Sequence, residues 1–305
     1  MNAIEIHQLK KTYESGEEAL KGIDLQIPKG SFYGLLGPNG AGKTTTIGIL
    51  TGLINKTAGN AEIMGYDTVN QYKKARKLIG LSPQEINLDV FFTIREILIF
   101  QAGYYGINKK NAIENVDHYL DKLGLYNKRN SKARELSGGM KRRVQIAKAL
   151  VHNPPIIILD EPTAGVDIEL RHMLWDYLQK INEDGKTILL TTHYIEEAEK
   201  LCDNIAIINN GEIVKTDKTK NIINEASNNI IEIHVQNIDK INHKESQWII
   251  DKKNSTISMK SKHIHEDITY IIKNIGKATE IKNVRIINSS LEDAFLKLTS
   301  KKDND

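Results

Sequence analysis

Gly37-Pro38-Asn39-Gly40-Ala41-Gly42-Lys43-Thr44 is the stretch on which the reading of this chain turns. It fits a glycine, four residues, then Gly-Lys-Ser/Thr, the spacing of a phosphate-binding loop. The flanks agree with it. Ser31-Phe32-Tyr33-Gly34-Leu35-Leu36 reads as a buried strand before it, and Thr45-Thr46-Ile47-Gly48-Ile49-Leu50 can carry a helix after it. A loop joining a strand end to a helix start can wrap an anion closely. Glycines admit the tight backbone, successive amide N–H groups point inward, and the positive end of the helix dipole lies behind. In such a loop Lys43 reaches the β- and γ-phosphates of a nucleoside triphosphate, and the Thr44 hydroxyl holds Mg²⁺.

The 305 residues leave room for one large domain and a smaller one. Forty-two Lys and Arg against 39 Asp and Glu give a net charge of +3, a near balance that does not point to nucleic acid as a partner. No wholly aliphatic run is longer than Ile156-Ile157-Ile158-Leu159, far short of the ~20 residues of a membrane helix, so the chain is not expected to span a bilayer by itself. Residues 1–7 lack the basic flank and apolar core of a secretion signal, and a cytosolic location is expected. Cys202 is the only cysteine, which excludes an internal disulfide and fits a reducing compartment.

Outward from the loop, residues 3–9 and 20–27 read as strands. Tyr13 ends the first in a polar setting, either as a face for a nucleotide base to stack on or as a half-buried structural tyrosine. Residues 59–65 read as a strand, 71–77 as a short basic helix, and 79–84 as a strand ending at Gln84. Residues 88–151 are mostly helical in pattern, with glycine breaks at Gly103, Gly106 and Gly124, and form an inserted helical subdomain. Phe91, Phe92 and Phe100, with Tyr104 and Tyr105, cluster at its start, as core or as an apolar groove for a partner.

Leu136-Ser137-Gly138-Gly139-Met140 opens a helix that continues through Lys141-Arg142-Arg143. Ser137 and two glycines at a helix N-terminus suit either a plain Ser cap or a phosphate site. Three cations in the first turn of that helix oppose its dipole, and a bound anion would offset them. Pro155-Ile156-Ile157-Ile158-Leu159-Asp160-Glu161 reads as a strand buried on both faces that ends in two acids. Buried carboxylates need compensation, and Mg²⁺ on Thr44 would supply it, with Asp160 on the metal and Glu161 activating water. A helix follows Asp167, and residues 187–193 make another buried strand with His193 just past its end. In an open parallel sheet, ligands lie at strand carboxyl ends, where Gly37, Asp160 and His193 would converge.

From about residue 228 the periodicity restarts. Residues 230–235, 248–250, 256–259 and 281–287 are strand-like and 265–275 helical. A last helix opens with a capping box, Ser290 and Asp293, and carries a Leu291, Phe295, Leu298 stripe. His263 and His265 share a strand face, but no further ligand set accompanies them and a metal site is not expected.

These residues resemble an ATP-binding-cassette ATPase over roughly the first 220 positions. The motifs stand in that family's order: Tyr13, the loop 37–44, Gln84, Leu136 to Met140, Asp160-Glu161, Asp167 and His193. Leu-Ser-Gly-Gly just upstream of the acidic strand is the most specific of them. The resemblance implies an α/β phosphate-loop core with a mainly parallel sheet, an antiparallel β subdomain and the helical insert, spanning residues 1–224; residues 225–305 read, from their own periodicity, as a small α+β domain. It implies ATP held by Tyr13, Gly37, Pro38, Asn39, Gly40, Ala41, Gly42, Lys43, Thr44 and Thr45, and in trans by Ser137, Gly138 and Gly139 of a second copy in a head-to-tail homodimer. It implies Mg²⁺ on Thr44, Gln84 and Asp160, and catalysis by Glu161, His193, Lys43 and Gln84. Met140 stands where that family more often has glutamine, and residues 164–167 read Ala-Gly-Val-Asp instead of Ser-Ala-Leu-Asp; neither change removes a catalytic group. Ser-Gly-Gly-Met-Lys-Arg-Arg and the closing residues 291–299 look like the ATPase subunits of bacterial ABC-2 type exporters. Such a subunit would work on the inner face of the cell membrane through a separate permease. An importer subunit is the nearest alternative. A soluble translation or repair ATPase would carry a second cassette or a coiled coil, and a non-hydrolysing cassette would lack Glu161 or His193.

Overall fold

The computed structural model describes residues 1–226, 229–241, 248–261, 264–287 and 290–299. The chain divides into two compact units, Met1–Thr219 and Lys220–Asp305. The periodicity of the sequence puts that boundary slightly later, at 224/225.

In the first unit, β1 (Asn2–Thr12), β2 (Glu18–Pro28), β3 (Phe32–Leu36), α1 (Lys43–Thr51), β4 (Ala58–Ile63), β5 (Tyr66–Asp67), α2 (Tyr72–Lys77) and β6 (Ile79–Ser82) come first. Strands β1, β2, β4 and β5 make an antiparallel sheet in the order β2-β1-β4-β5. Its apolar residues alternate along β1 as Ile4 and Ile6 until Gln8, whose φ of 46° shifts the register so that Leu9 returns to the buried face. Beyond its polar first turn helix α1 is buried, because Ile47, Ile49 and Leu50 share one core with Ile4, Ile6 and Leu20 of that sheet and with Leu35, Ile156 and Ile158 of the second.

After α3 (Ile94–Tyr104), α4 (Lys109–Lys122) and α5 (Gly138–Leu150) come β7 (Ile156–Asp160), α6 (Ile168–Glu183), β8 (Thr187–Thr192), α7 (Ile195–Leu201), β9 (Asn204–Asn209) and β10 (Glu212–Lys218). The second sheet runs β10-β9-β3-β8-β7-β6, parallel throughout except for β10. Every residue of β3, β7 and β8 is buried, which is why those segments read as unbroken apolar runs instead of alternating. Because β3, β8, β7 and β6 are neighbours pointing the same way, Gly37, His193, Asp160-Glu161 and Gln84 all leave from one edge.

Helices α3, α4 and α5 form the expected insert. Thr93 and Glu96 make a capping box on α3, Asn108 caps α4, and Arg95 grips Asp117 through two hydrogen bonds of 3.0 and 2.7 Å. Apart from Tyr105, which is half-buried, the aromatic cluster does not join the core: Phe91 is 76% exposed and Tyr104 86%, and Phe92 meets Phe100 edge to face at 5.2 Å. The three cations of α5 also differ from expectation. They lie in its second turn, Arg142 is buried with its guanidinium on the Pro83 carbonyl, and Arg143 donates to the Leu123 carbonyl. Carbonyls therefore offset Arg142 and Arg143, where the sequence suggests an anion.

In the second unit, α8 (Thr219–Ala226), which the sequence does not signal and which starts at the last residue of the first unit, precedes β11 (Asn229–Val235), β12 (Trp248–Asp251), β13 (Thr256–Ser261), α9 (Ile264–Ile275), β14 (Ile281–Ile287) and α10 (Leu291–Thr299). The sheet is antiparallel in the order β12-β13-β11-β14. Ile231, Ile233, Ile257 and Met259 pack with Ile271 and Ile275 of α9. Ser290 caps α10 with Asp293 in reply. His263 and the His265 side chain lie outside the described residues.

Candidate functional site

Gly37 begins where β3 ends, and only hydrogen fits there, because a Cβ would lie 2.3 Å from the Ile208 carbonyl oxygen. Gly42 caps α1 at φ 109°, a left-handed backbone that other residues rarely adopt. With these two glycines the loop folds back over the start of α1 and buries Lys43, which is 5% exposed. Its Nζ donates to the carbonyls of Gly37 at 2.7 Å and Pro38 at 3.0 Å. Burial lowers the Lys43 pKa, and the carboxylates of Glu161 and Asp160 work against that shift.

A cavity of about 410 Å³, of the size of a small-molecule site, opens above the loop. Asn39, Gly40, Gly42, Lys43, Thr44, Thr45, Tyr13, Gln84 and Glu161 line it, whereas Gly37, Pro38 and Ala41 do not. Tyr13 is half-buried, with its hydroxyl 3.1 Å from Thr45 Oγ1 and Lys11 Nζ 4.9 Å from its ring centre. The hydroxyl fixes the ring against α1, so a structural bond and a place in the cavity wall belong to the same residue.

Asp160 is buried at the end of β7, where Oδ1 accepts from the Thr191 hydroxyl and Oδ2 from the Thr44 hydroxyl at 3.3 Å. Burial raises its pKa, with neighbouring Glu161 adding to the rise and Thr191, Thr44 and Lys43 opposing it. The hydroxyl of Thr44 and the carboxylate of Asp160 are hard oxygens that fit Mg²⁺, which takes one or two protein ligands beside phosphate oxygens. Among the described residues, no group of three or more His, Cys, Asp or Glu is placed to hold a metal.

Glu161 follows at φ 49°, an uncommon conformation that its amide supports by donating to the Thr191 carbonyl at 3.0 Å. Its carboxylate is held at both oxygens. Gln84 Nε2 donates to Oε2 at 3.0 Å, and His193 Nδ1 lies 2.9 Å from Oε1. The Gln84 amide nitrogen being used in this way, its carbonyl oxygen is the atom that could serve a cation.

Ser137 and Gly139 lie elsewhere. They line a second cavity, of about 430 Å³, with Arg143, Asp167, Glu169, Leu170 and Met173, and it shares no residue with the first. Ser137 Oγ accepts from the Met140 amide at 3.3 Å as the cap of α5, and Asp167 Oδ1 caps α6.

Sequence reasoning missed two acids. Glu17, in the turn between β1 and β2, lines the first cavity. Glu197, on α7, is fully buried and accepts from Thr163 Oγ1 at 2.9 Å and Trp175 Nε1 at 3.0 Å, which ties the helix after His193 to the segment after Glu161. In sequence it stands beside Glu196 with nothing to mark it as buried.

A family model described as ABC transporter matches residues 20–164. The Nod factor export ATP-binding protein I of Burkholderia thailandensis is 40% identical over 232 residues, which are 76% of this chain and 76% of that protein. The protein of the same name from Cupriavidus pinatubonensis is 33% identical over 305 residues, 99% of this chain and 92% of its own. This chain belongs to the ABC transporter family. Its fold agrees with solved members of that family. A dimeric ATP-binding cassette in a post-hydrolysis state bound to ADP and Pi matches with a TM-score of 0.66 and 31% identity, covering 71% of this chain and 98% of that one. An ATP-binding subunit of an ABC transporter matches at 0.68 and 29%, covering 73% and 92%. The chain is thus an ABC ATPase, which binds and hydrolyses ATP, and ABC ATPases dimerise and work with membrane permease subunits. Among its described residues no helix is long and apolar enough to cross a membrane.

Proposed function

We propose that this ABC ATPase drives export through a separate permease of the ABC-2 type, on the cytosolic face of the membrane, by closing as a head-to-tail dimer around two ATP molecules. The observation that carries the reading is the division of the site. Lys43, Glu161 and His193 belong to one cavity or touch it, while Ser137 and Gly139 face another, and this separation supports a reading in which one chain presents half of each of two sites. Export rests on the names of the relatives and on the run Ser137-Gly138-Gly139-Met140-Lys141-Arg142-Arg143.

In this reading the adenine base stacks on Tyr13 and the triphosphate enters the loop 37–44. Lys43 Nζ exchanges a loop carbonyl for phosphate oxygens, which compensates its burial cost. Thr44 and Asp160, with the Gln84 carbonyl oxygen, would hold Mg²⁺, whose chemistry is to neutralise charge on the β- and γ-phosphates. The Ser137 hydroxyl and the amides of Gly138 and Gly139 of the second copy approach the γ-phosphate from the far side, where the N-terminus of α5 favours an anion. Glu161 Oε1 or Oε2 takes the proton of the attacking water, and Gln84 and His193 hold that carboxylate in place. ATP binding favours the closed state and hydrolysis the open one, which shifts the population of the attached permease.

Glu161→Gln keeps the shape and the neighbours but cannot accept the proton. Turnover should fall by about 10²–10⁴-fold with ATP affinity retained. A variant as fast as wild type would show that Glu161 is not the base. For the permease, the exposed Phe91, Phe92, Phe100 and Tyr104 offer an apolar surface near Gln84 in sequence. Phe100→Asp should leave ATP hydrolysis by the isolated chain intact and abolish co-purification with the permease; retained co-purification contradicts that placement.

A further inference from the structure

Arg142 and Gln145 are buried polar residues, 4% and 3% exposed, and neither has a part in the hydrolysis described so far. Burying a guanidinium and an amide is costly unless their hydrogen bonds are made, so where those bonds go is informative. They go to one short segment. Arg142 Nη1 donates to the Pro83 carbonyl at 3.0 Å and to Gln145 Oε1 at 3.2 Å. Gln145 Nε2 donates to the Pro83 carbonyl at 2.9 Å and to the Glu85 carbonyl at 2.6 Å. Both backbone neighbours of Gln84 are therefore gripped from α5, and the Pro83 oxygen receives two donors.

The helix that supplies the grip begins at Ser137, one turn before Arg142 and two before Gln145. An α-helix transmits displacement of its end as a rigid rod over this distance. Movement of the Ser137 end of α5 carries Pro83 and Glu85 with it, and between them Gln84, whose Nε2 lies 3.0 Å from Glu161 Oε2. Arg142 in addition sets a cation in the field of Asp160 and Glu161. We propose that Gln145, braced by Arg142, is a positioning residue of the ATPase that makes Gln84, and through it Glu161, follow the helix beginning at Ser137. In a closed dimer, contact of Ser137 with the other copy's nucleotide would then be reported to the base of its own chain.

This inference rests on the reading of Glu161 as base, and the test separates the two. ATP turnover and nucleotide affinity are measured in the full chain for Glu161→Gln, Gln145→Met, Gln84→Ala and the Gln84→Ala, Gln145→Met double variant. Gln145→Met fills the space without donors. Its kcat should fall on the order of tenfold with nucleotide affinity unchanged, as for a small misplacement of a catalytic group. In the Gln84→Ala background it should cost nothing further, because the residue through which it acts is gone. A merely structural residue would lower affinity in parallel or add its full loss in the double variant, and either result overturns the proposal, as does wild-type kcat in the single variant. If Gln145→Met does not fold, Gln145→Glu, which keeps the shape and loses the donors, is measured with the same outcomes. Wild-type turnover by Glu161→Gln would sink the underlying reading instead.

Discussion

His152 shows how a single side chain sets a pH limit on this fold. Its ring stacks on Tyr105 with centres 3.5 Å apart, and Nε2 lies 3.0 Å from the Ile79 carbonyl. Burial, opposed by that bond and reinforced by Lys186, lowers its pKa from 6.5 to about 4. As pH falls below 6.5 the unfolded chain takes up a proton that the folded chain refuses, so this contribution to stability is complete above pH 6.5 and lost towards pH 4. His152→Gln should lose less stability than wild type between pH 7 and 5 in urea unfolding; an unchanged difference would mean that His152 does not titrate in that window. At this scale the site is largely legible in the sequence. Lys43, Thr44, Asp160, Glu161 and His193 announce themselves because buried charge beside glycine-rich or aliphatic segments has few explanations. Gln145 and Glu197 do not, since a polar residue on a helix gives no sign of its burial until its neighbours are known. The spacing of Arg142, Ile146 and Ala149 along one helix face is the cue available.

The element that matters most after the loop is α5. Ser137 caps it, and the proposed dimer asks the same hydroxyl to meet a phosphate, two roles that a single substitution separates. Loss of the cap alone should cost about 1 kcal/mol of stability. Ser137→Ala should therefore melt slightly lower, while its ATP turnover falls by much more than that loss explains; an unchanged turnover leaves Ser137 as a cap and nothing else. Strands and long helices are legible because a buried parallel sheet writes unbroken aliphatic runs, as in Ile156 to Leu159, and helices α3, α4 and α6 begin at plain caps. Three things escape. Helices α7 and α8 are short and each is hidden between two strands, and the aromatic cluster at residues 91–104 is apolar by composition yet exposed, which no local pattern distinguishes from core.

At the scale of the molecule, the sheet order explains why four distant motifs meet, and the two separate cavities are what the proposed two-chain site accounts for. Motif spacing names the members of the site but not the separation of Ser137 from Lys43, since a line of residues carries no distance. Complementation between two inactive chains tests that division. Lys43→Ala disables the loop, and Gly138→Asp places a carboxylate where the anion should sit, at a position whose Cβ meets nothing within 4 Å, so the fold tolerates it. Each variant alone should be inactive. Mixed in equal amounts, they should recover roughly a quarter of the wild-type rate, the share of intact sites in a statistical two-fold dimer. If the mixture stays as inactive as its components, the site is complete within one chain and the account is wrong.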